Sequence, residues 1–411
     1  MTQSTTAAAP LPQPFGSDFQ ADPHAVYGRL REQGSVHLVA LPDGSPVWLV
    51  THEADVRRAL ADTRLSVDKR YSGTGFKGFS LPPALDANLL NLDADDHLRL
   101  RRLVTQGFTP RHVKILRPRI EASVDVLLDQ LEKRISTEGS ADVVAEFAKP
   151  LPLSVIGALL AVPPADQERF GRWVSGMLTP ATRDELVHAI DSIHQFLISL
   201  VAQRRAAPGD DILSDLIAAR DAGDRLSENE LVSLAFLLLM AGSENVQHLI
   251  SNGLLTLLAH PDQLAALRAR PELMPQAVEE LLRYAHPNHT AIRRFPTETV
   301  EIGGVRIPAG DTVLFSLAAA HRDPTRYTAP HRFDIFRTDQ AHLALGHGLH
   351  YCLGAPLARM QIALALGRLL HRLPHISLAT PVEDLPWNTT FRFYALQELP
   401  ITTAEAATFC P

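Results

Sequence analysis

"LGHGLHYCLGAPLAR", residues 345–359, gathers three glycines, two histidines and one of the chain's two cysteines into fifteen positions. The cysteine, Cys352, admits three readings. An isolated cysteine is most often a small buried apolar residue. Cys352 with His347 and His350 offers zinc-ligand types, but the spacing is poor for zinc and no second ligand pair lies nearby. The third reading is a single axial thiolate to haem iron. Its surroundings suit that role. Gly346, Gly348 and Gly354 let the backbone turn tightly and approach a flat ligand closely. "GAPLARMQIALALGRLLHRL", residues 354–373, has helical periodicity with Pro356 acceptable in its first turn. Cys352 then sits just before a helix N-terminus, where the dipole and free N–H groups favour a thiolate.

The composition narrows the class. The chain has 411 residues, 45% hydrophobic and 21% charged, as expected of a globular protein. A net charge of −7 argues against wholesale electrostatic binding to nucleic acid. Cys352 and Cys410 cannot build a disulfide framework, which fits a reducing compartment. No run of about 18 apolar residues reads as a membrane span. "MTQSTTAAAPLPQPFGSDF" lacks the pattern of a signal peptide, so residues 1–18 are expected to form a loose, flexible arm on a cytoplasmic protein.

Helical patterns dominate the rest. "DPHAVYGRLREQ", residues 22–33, opens on an Asp-Pro helix start. "SVHLVAL", "PVWLVTH" and "VEIGGVRIPAGDTVLFSL" read as strands with Gly-Gly and Pro-Ala-Gly turns. Residues 35–50 and 300–317 are therefore expected to meet in one small sheet, with a mostly helical chain between them. The most informative helix is "LSENELVSLAFLLLMAGSENVQHLISNGLLTLLAHP", residues 226–261. Ser227 and Glu230 form a capping box, and the span is about 32 residues, roughly 48 Å. Its first half is apolar nearly all round, which demands burial. Glu244 at mid-length costs several kcal/mol there unless compensated. Either the helix kinks onto a buried basic group, or it crosses a cavity where chemistry happens.

The 345–359 stretch resembles the haem-binding loop of the cytochrome P450s, whose pattern is F-G-x-G-x-H-x-C-x-G followed by L-A-R. Leu345 stands where that family has Phe, a change expected to shift redox poise rather than abolish binding. Further matches span the chain. "EELLRY" carries an E-x-x-R pair as Glu280 and Arg283, and "PHRFD" at 330–334 offers Arg332 as the third member of a structural Glu-Arg-Arg cluster. "DADDHLRLRRLVTQGFTP" resembles the helix whose His and Arg reach the haem propionates, here His97 and Arg101. "AIRRFPTETVEIGG" adds Arg294, rather than Arg293, and His350 is the fourth donor. The resemblance implies a mainly α fold: one α-helical domain of the P450 type over residues 1–411, a triangular prism with a small β-rich region. It implies haem b as cofactor.

The 226–261 helix resembles the family's distal helix, with pattern A-G-x-[DE]-T. Here it reads Ala241-Gly242-Ser243-Glu244-Asn245. In the family the acid and the alcohol feed protons to dioxygen. The acid is kept as Glu244. Asn245 replaces the alcohol, and an amide relays protons less readily than a hydroxyl. The resemblance thus implies a monooxygenase, with Cys352, Glu244 and Asn245 as its catalytic residues. Oxidative ring closure or coupling is the alternative that Asn245 raises. A non-catalytic haem binder, a peroxide-driven enzyme and a zinc hydrolase are more distant readings. No flavin, nicotinamide or iron–sulfur fingerprint is present, so electrons are expected from a separate ferredoxin and its reductase. "RHVKILRPR", residues 111–119, is either their basic docking stretch or a solvated helix face. Candidate substrate contacts are Phe76, Phe79, Leu89 and Leu90, then Met240 and Ala241, Thr290, Ala291 and Ile292, and finally Phe391, Arg392 and Phe393. Mostly apolar, they imply a sizeable hydrophobic small molecule, such as a polyketide or macrolide, peptide or terpenoid. The protein is expected to be a monomer that binds neither membrane nor nucleic acid.

Overall fold

A computed structural model gives the fold and describes residues 10–73, 75, 81, 83–108, 110–178, 181–209, 211–221 and 226–403. Its axis is the helix Glu228–Leu258, which starts on the Ser227/Glu230 capping box and runs unbroken through Gly242–Asn245. Every residue from Leu231 to Leu239 is buried, because helices pack around it on all sides. Pro150–Leu159, Arg183–Ala206, Ala355–Arg372 and the short Pro83–Asp86 all touch it. A large apolar core follows around it, and two smaller apolar clusters lie under the sheet and its flanking helices.

The expected small sheet forms, with a refinement. Val36–Ala40 pairs antiparallel with Pro46–Val50. Val313–Phe315 then adds in parallel, Trp48 opposite Val313 and Val50 opposite Phe315. Residues 300–307 do not join it. Val300–Ile302 and Val305–Ile307 fold on each other as a separate hairpin, because Gly303 and Gly304 turn the chain with φ of 54° and 78°. The helix Pro23–Gln33 is capped by Asp22, whose side chain accepts from the Ala25 N–H at 3.0 Å.

Residues 10–18 of the expected loose arm are docked. The Pro12 carbonyl accepts from Ala40 N at 2.9 Å. Phe15 is buried, with ring centres 5.1 Å from Phe19 and 5.7 Å from Phe391. Phe19 and Tyr27 both meet the ring of His289 edge-on. The aromatic content of "PFGSDF" was the signal, and it outweighs the flanking prolines and small residues.

The ionic cluster also differs from expectation. Glu280 and Arg283 form a doubly hydrogen-bonded pair at 2.7 and 2.8 Å, each side chain 1% exposed. The third member is Arg337, not Arg332. Arg337 Nε lies 3.2 Å from Glu280 and its side chain is 5% exposed. The Arg332 guanidinium is 67% exposed and pairs with Asp334. Only its carbonyl enters the cluster, accepting from Arg283 and Arg337.

Two expectations attach to these groups. Arg337→Met leaves Glu280 paired with Arg283 but takes away its second charged donor and the donors to the Thr328 and Ala329 carbonyls; it should cost about 2 kcal/mol in denaturant unfolding, whereas Arg332→Met should stay within about 0.5 kcal/mol. The second concerns acid. Burial holds His286 down at a pKa of about 4 and His289 at about 3, and pushes His24 and His321 well below the usual imidazole range. The unfolded chain binds protons at these rings below about 6.5 and the fold does not. Stability is therefore complete above about pH 6.5 and falls as pH drops toward 4, by up to about 1.4 kcal/mol per pH unit for each ring. Denaturant midpoints at pH 7 and pH 5 check this, and His289→Phe should narrow the gap between them.

Candidate active site

The cysteine loop is shaped by its glycines. Gly346 and Gly348 have φ of 76° and 70°, where a side chain is strained. A Cβ on Gly348 would also lie 2.9 Å from the Ala61 Cα and 3.0 Å from the Leu60 carbonyl. The loop makes a single 3₁₀ turn over Gly348–His350, and Cys352 N donates to the Leu345 carbonyl at 2.8 Å. The helix Ala355–Arg372 begins directly afterwards. Burial pushes the Cys352 thiol up. The Gly354 N–H and the charges of Arg101 and Arg359 act against that shift and favour the thiolate.

Cys352 opens into a cavity of about 490 Å³. The cysteine loop and the start of its helix form one wall. The helix Glu228–Leu258 supplies another, through residues that include Ala241, Gly242 and Asn245. It therefore crosses a cavity and stays helical there. Gly242 packs so closely on the neighbouring helix that a Cβ would lie 2.3 Å from Ile156 Cδ1.

Basic groups converge on the cavity. His97, Arg101, Arg294 and His350 all line it. Arg101 straps the helix Ala94–Gly107 to the cysteine loop, donating to the Leu349 and Tyr351 carbonyls at 3.1 and 2.6 Å. His97 is 1% exposed, and neither ring nitrogen has a partner among the described residues. Its ring lies 4.4 Å from that of His350. Burial, then the charges of His350 and Arg101, push His97 down to about 4. Burial likewise pushes Arg294 down to about 10. Its Nη1 donates to the Ile292 and Arg293 carbonyls.

Sequence reading missed Asp93, the acid of this group. Its carboxylate accepts from His350 Nε2 at 2.8 Å, Ser66 Oγ at 2.6 Å and Val67 N at 2.7 Å. Burial opposes its ionisation, but those hydrogen bonds prevail and hold it at about 2. Asp93 heads the "DADDHLRLRR" helix as its N-cap, and that position was the available signal.

The distal residues separate. Asn245 lines the cavity, and its Oδ1 accepts from Asn288 Nδ2 at 3.0 Å. Glu244 does not line it. Its side chain is 27% exposed and lies 3.9 Å from His248 Nε2. Among expected substrate contacts, Leu89, Leu90, Met240 and Ala241 line the cavity, as do Thr290, Ala291 and Ile292. Phe391, Arg392 and Phe393 do not. Phe391 packs on Phe15, the Arg392 carbonyl accepts from His289 N at 2.7 Å, and Phe393 bridges Asn288. Phe76 and Phe79 lie outside the described residues. His347, His350 and Cys352 do not form a metal-holding trio, and no such group occurs among the described residues.

The donor set fits haem. A thiol faces an apolar space, and the guanidiniums of Arg101 and Arg294, with the unpartnered His97 ring beside them, offer hydrogen-bond donors to two propionates. At Gly354 an added Cβ would meet no protein atom within 4 Å.

Comparison with known proteins agrees. The cytochrome P450 family model matches residues 168–383. The cytochrome P450 monooxygenase PikC of Streptomyces venezuelae is 44% identical over 402 residues, 97% of this chain and 96% of PikC. Mycinamicin IV hydroxylase/epoxidase of Micromonospora griseorubida is 40% identical over 399 residues, 96% of this chain and 99% of that one. The solved structure of the bacillaene polyketide synthase cytochrome P450 PksS of Bacillus subtilis has a TM-score of 0.87 and 35% identity, covering 95% of this chain and 99% of that one. This chain belongs to the cytochrome P450 family and is a P450 monooxygenase. Proteins of that family bind haem b and use dioxygen, a redox partner and a small-molecule substrate. No helix among the described residues is long and apolar enough to cross a membrane.

Gly348→Ala should cost about 2 kcal/mol or more, a left-handed residue and a backbone contact combined. Gly354→Ala, with φ of −79° and open space, should stay within about 1 kcal/mol. Thermal unfolding of the two variants reads the contrast.

Proposed function

We propose that this monooxygenase oxidises a large, mainly apolar secondary metabolite of the polyketide or macrolide kind, working as a single-domain cytoplasmic monomer. One observation carries the reading: Cys352, Asn245 and the cluster of His97, Arg101, Arg294 and His350 share one apolar-lined cavity. The names of two relatives support the substrate class: mycinamicin IV hydroxylase/epoxidase, and the P450 PksS of the bacillaene polyketide synthase. The cytoplasmic assignment rests on sparse cysteine usage.

Cys352 is the residue that would hold the iron; burial pushes its thiol up, and the Gly354 N–H and the charge of Arg101 work against that shift toward the thiolate. His97, Arg101, Arg294 and His350 are the residues that would hold the propionates, and Asp93 orients His350 by accepting from Nε2. Bound there, haem supplies the reductive activation of dioxygen that places one oxygen atom in the substrate and releases the other as water. Leu89, Leu90, Met240, Ala241 and residues 290–292 exclude water and seat the substrate. Glu244 draws protons from the surface side of the helix, where His248 is its neighbour. Asn245 orders the water or substrate hydroxyl that passes them on.

Electrons come from an acidic ferredoxin. Tyr351, 39% exposed and adjacent to Cys352, marks where the surface comes nearest the sulfur in sequence. Arg359 reaches Tyr351 Oη at 3.2 Å there. Arg117, from the basic stretch, lines a groove of about 870 Å³ with Arg359 and Arg368. In the free protein Arg117 pairs with Glu121, and Arg368 with Asp125 and Glu121, so docking has to compete with those carboxylates.

The test is the absorption spectrum of the dithionite-reduced, CO-treated protein. The wild type should show the strongly red-shifted Soret band of a thiolate complex, and Cys352→Ser should lose it. A variant that keeps that band overturns the ligand assignment, and a wild type without any Soret band overturns the reading as a whole.

A further inference from the structure

Among the described residues, Asn245 is the one polar side chain that the helix Glu228–Leu258 contributes to the cavity. The other lining residues of that helix are leucines, Met240, Ala241, Gly242 and Val246. Its polar neighbours are engaged elsewhere. Ser243 Oγ donates back to the Leu239 carbonyl at 3.0 Å, and Glu244 lies toward His248. The amide of Asn245 therefore decides what hydrogen bond the distal wall offers. Its oxygen is already used, because Asn288 Nδ2 donates to it at 3.0 Å.

Asn288 is itself well fixed. Its N–H donates to His286 Nδ1 at 3.2 Å, and its backbone bridges Phe393. Burial keeps the His286 ring neutral at ordinary pH, and with its proton on Nε2 the Nδ1 atom is an acceptor. Asn288 lines the cavity as well.

We propose that Asn288 is a positioning residue: it holds the Asn245 carbonyl aside and thereby commits the Asn245 NH2 to the cavity as a fixed hydrogen-bond donor. This rests on the function proposed above. An amide carries its oxygen and nitrogen on opposite branches of a planar group, so engaging one branch orients the other. A fixed NH2 selects an oxygen acceptor, water or a substrate hydroxyl or carbonyl. An O–H held through its lone pair keeps its own proton to donate onward. The pair thus supplies orientation, while the transferable proton stays on the held oxygen.

Reciprocal substitutions in the haem-loaded enzyme test the direction of this bond. In Asn245→Asp the carboxylate still accepts from Asn288, but the donor toward the cavity is gone. In Asn288→Asp the donor to Asn245 is gone, so the Asn245 amide turns over and presents its oxygen. The readout is the infrared C–O stretch of the reduced CO complex, which falls when a donor faces the CO oxygen. Asn245→Asp, Asn245→Leu and Asn288→Asp should all raise it. Asn288→Leu should broaden it into more than one band, and Asn288→Gln should restore most of the wild-type band. The coupling of NAD(P)H consumption to product should fall about fivefold in Asn288→Leu, the worth of one neutral hydrogen bond, with little change in KM.

Wild-type bands in both Asn288→Leu and Asn288→Asp, beside a shifted band in Asn245→Leu, would overturn the positioning role. An unmoved band in Asn245→Leu would overturn it too, since the amide would not face the site. Both failures occur with the thiolate Soret band intact. Loss of that band in the wild type would instead defeat the underlying functional reading, and the proposal with it. Should Asn288→Leu fail to fold, Asn288→Asp carries the same decision.

Discussion

Basic side chains gather at the cavity without an equal number of acids. His97 and Arg101 come from one helix, Arg294 and His350 from two other segments, and the acid beside them, Asp93, is already occupied by His350, Ser66 and Val67. Burial lowers the pKa of His97, Arg101 and Arg294, which means that the fold works against holding these groups charged. Such an arrangement is costly for the chain alone and favourable around a dianion. An anionic ligand at this end relieves the strain and ties together the helix Ala94–Gly107, the residues around Arg294 and the cysteine loop. Its binding free energy then becomes part of the folding free energy.

That coupling explains the way the loop is built. Arg101 uses two of its donors on the Leu349 and Tyr351 carbonyls, so the loop is clamped to the helix that carries His97. Gly348 brings the loop backbone against Ala61 and Leu60 at distances that exclude any side chain. The loop is held by protein contacts on one side and left open on the other, at Gly354. Preorganisation of this kind reduces the ordering that ligand binding must accomplish.

Features encoded locally were legible in the sequence. The capping box at Ser227, the glycine-bearing cysteine loop with its following helix, and the strand pattern at 35–50 each depend on neighbours within a few positions. The cavity face of Met240, Ala241 and residues 290–292 was legible through the resemblance to a known family. What escaped depends on long-range partners. Arg332 and Arg337 lie in one short segment, and both are consistent with pairing to Glu280. Only the path of the backbone, which sends the Arg332 carbonyl inward and its guanidinium outward, separates them. Asp93 looked like one more acid in an acidic helix start until the fold brought His350 to it across 257 positions. Phe15 read as part of a loose arm because its partner ring, Phe391, lies far away in the sequence.

Phe391–Phe393 shows how such a misassignment carries structural meaning. The segment lies behind the cavity wall rather than in it. Phe393 bridges Asn288, and its ring stands 6.1 Å from that of His248. Asn288 holds Asn245, while His248 neighbours Glu244. The two distal residues are thus backed by one C-terminal segment, through Asn288 on the cavity side and His248 on the outer side. A hydroxyl at position 245 would bring its own mobile proton and need little orientation, because it rotates to suit its partner. An amide has a fixed fork and no proton to give up, so its usefulness depends on being aimed. The replacement of the alcohol by Asn245 and the presence of a donor at Asn288 are therefore parts of one arrangement, in which a rigid support stands in for a rotating group.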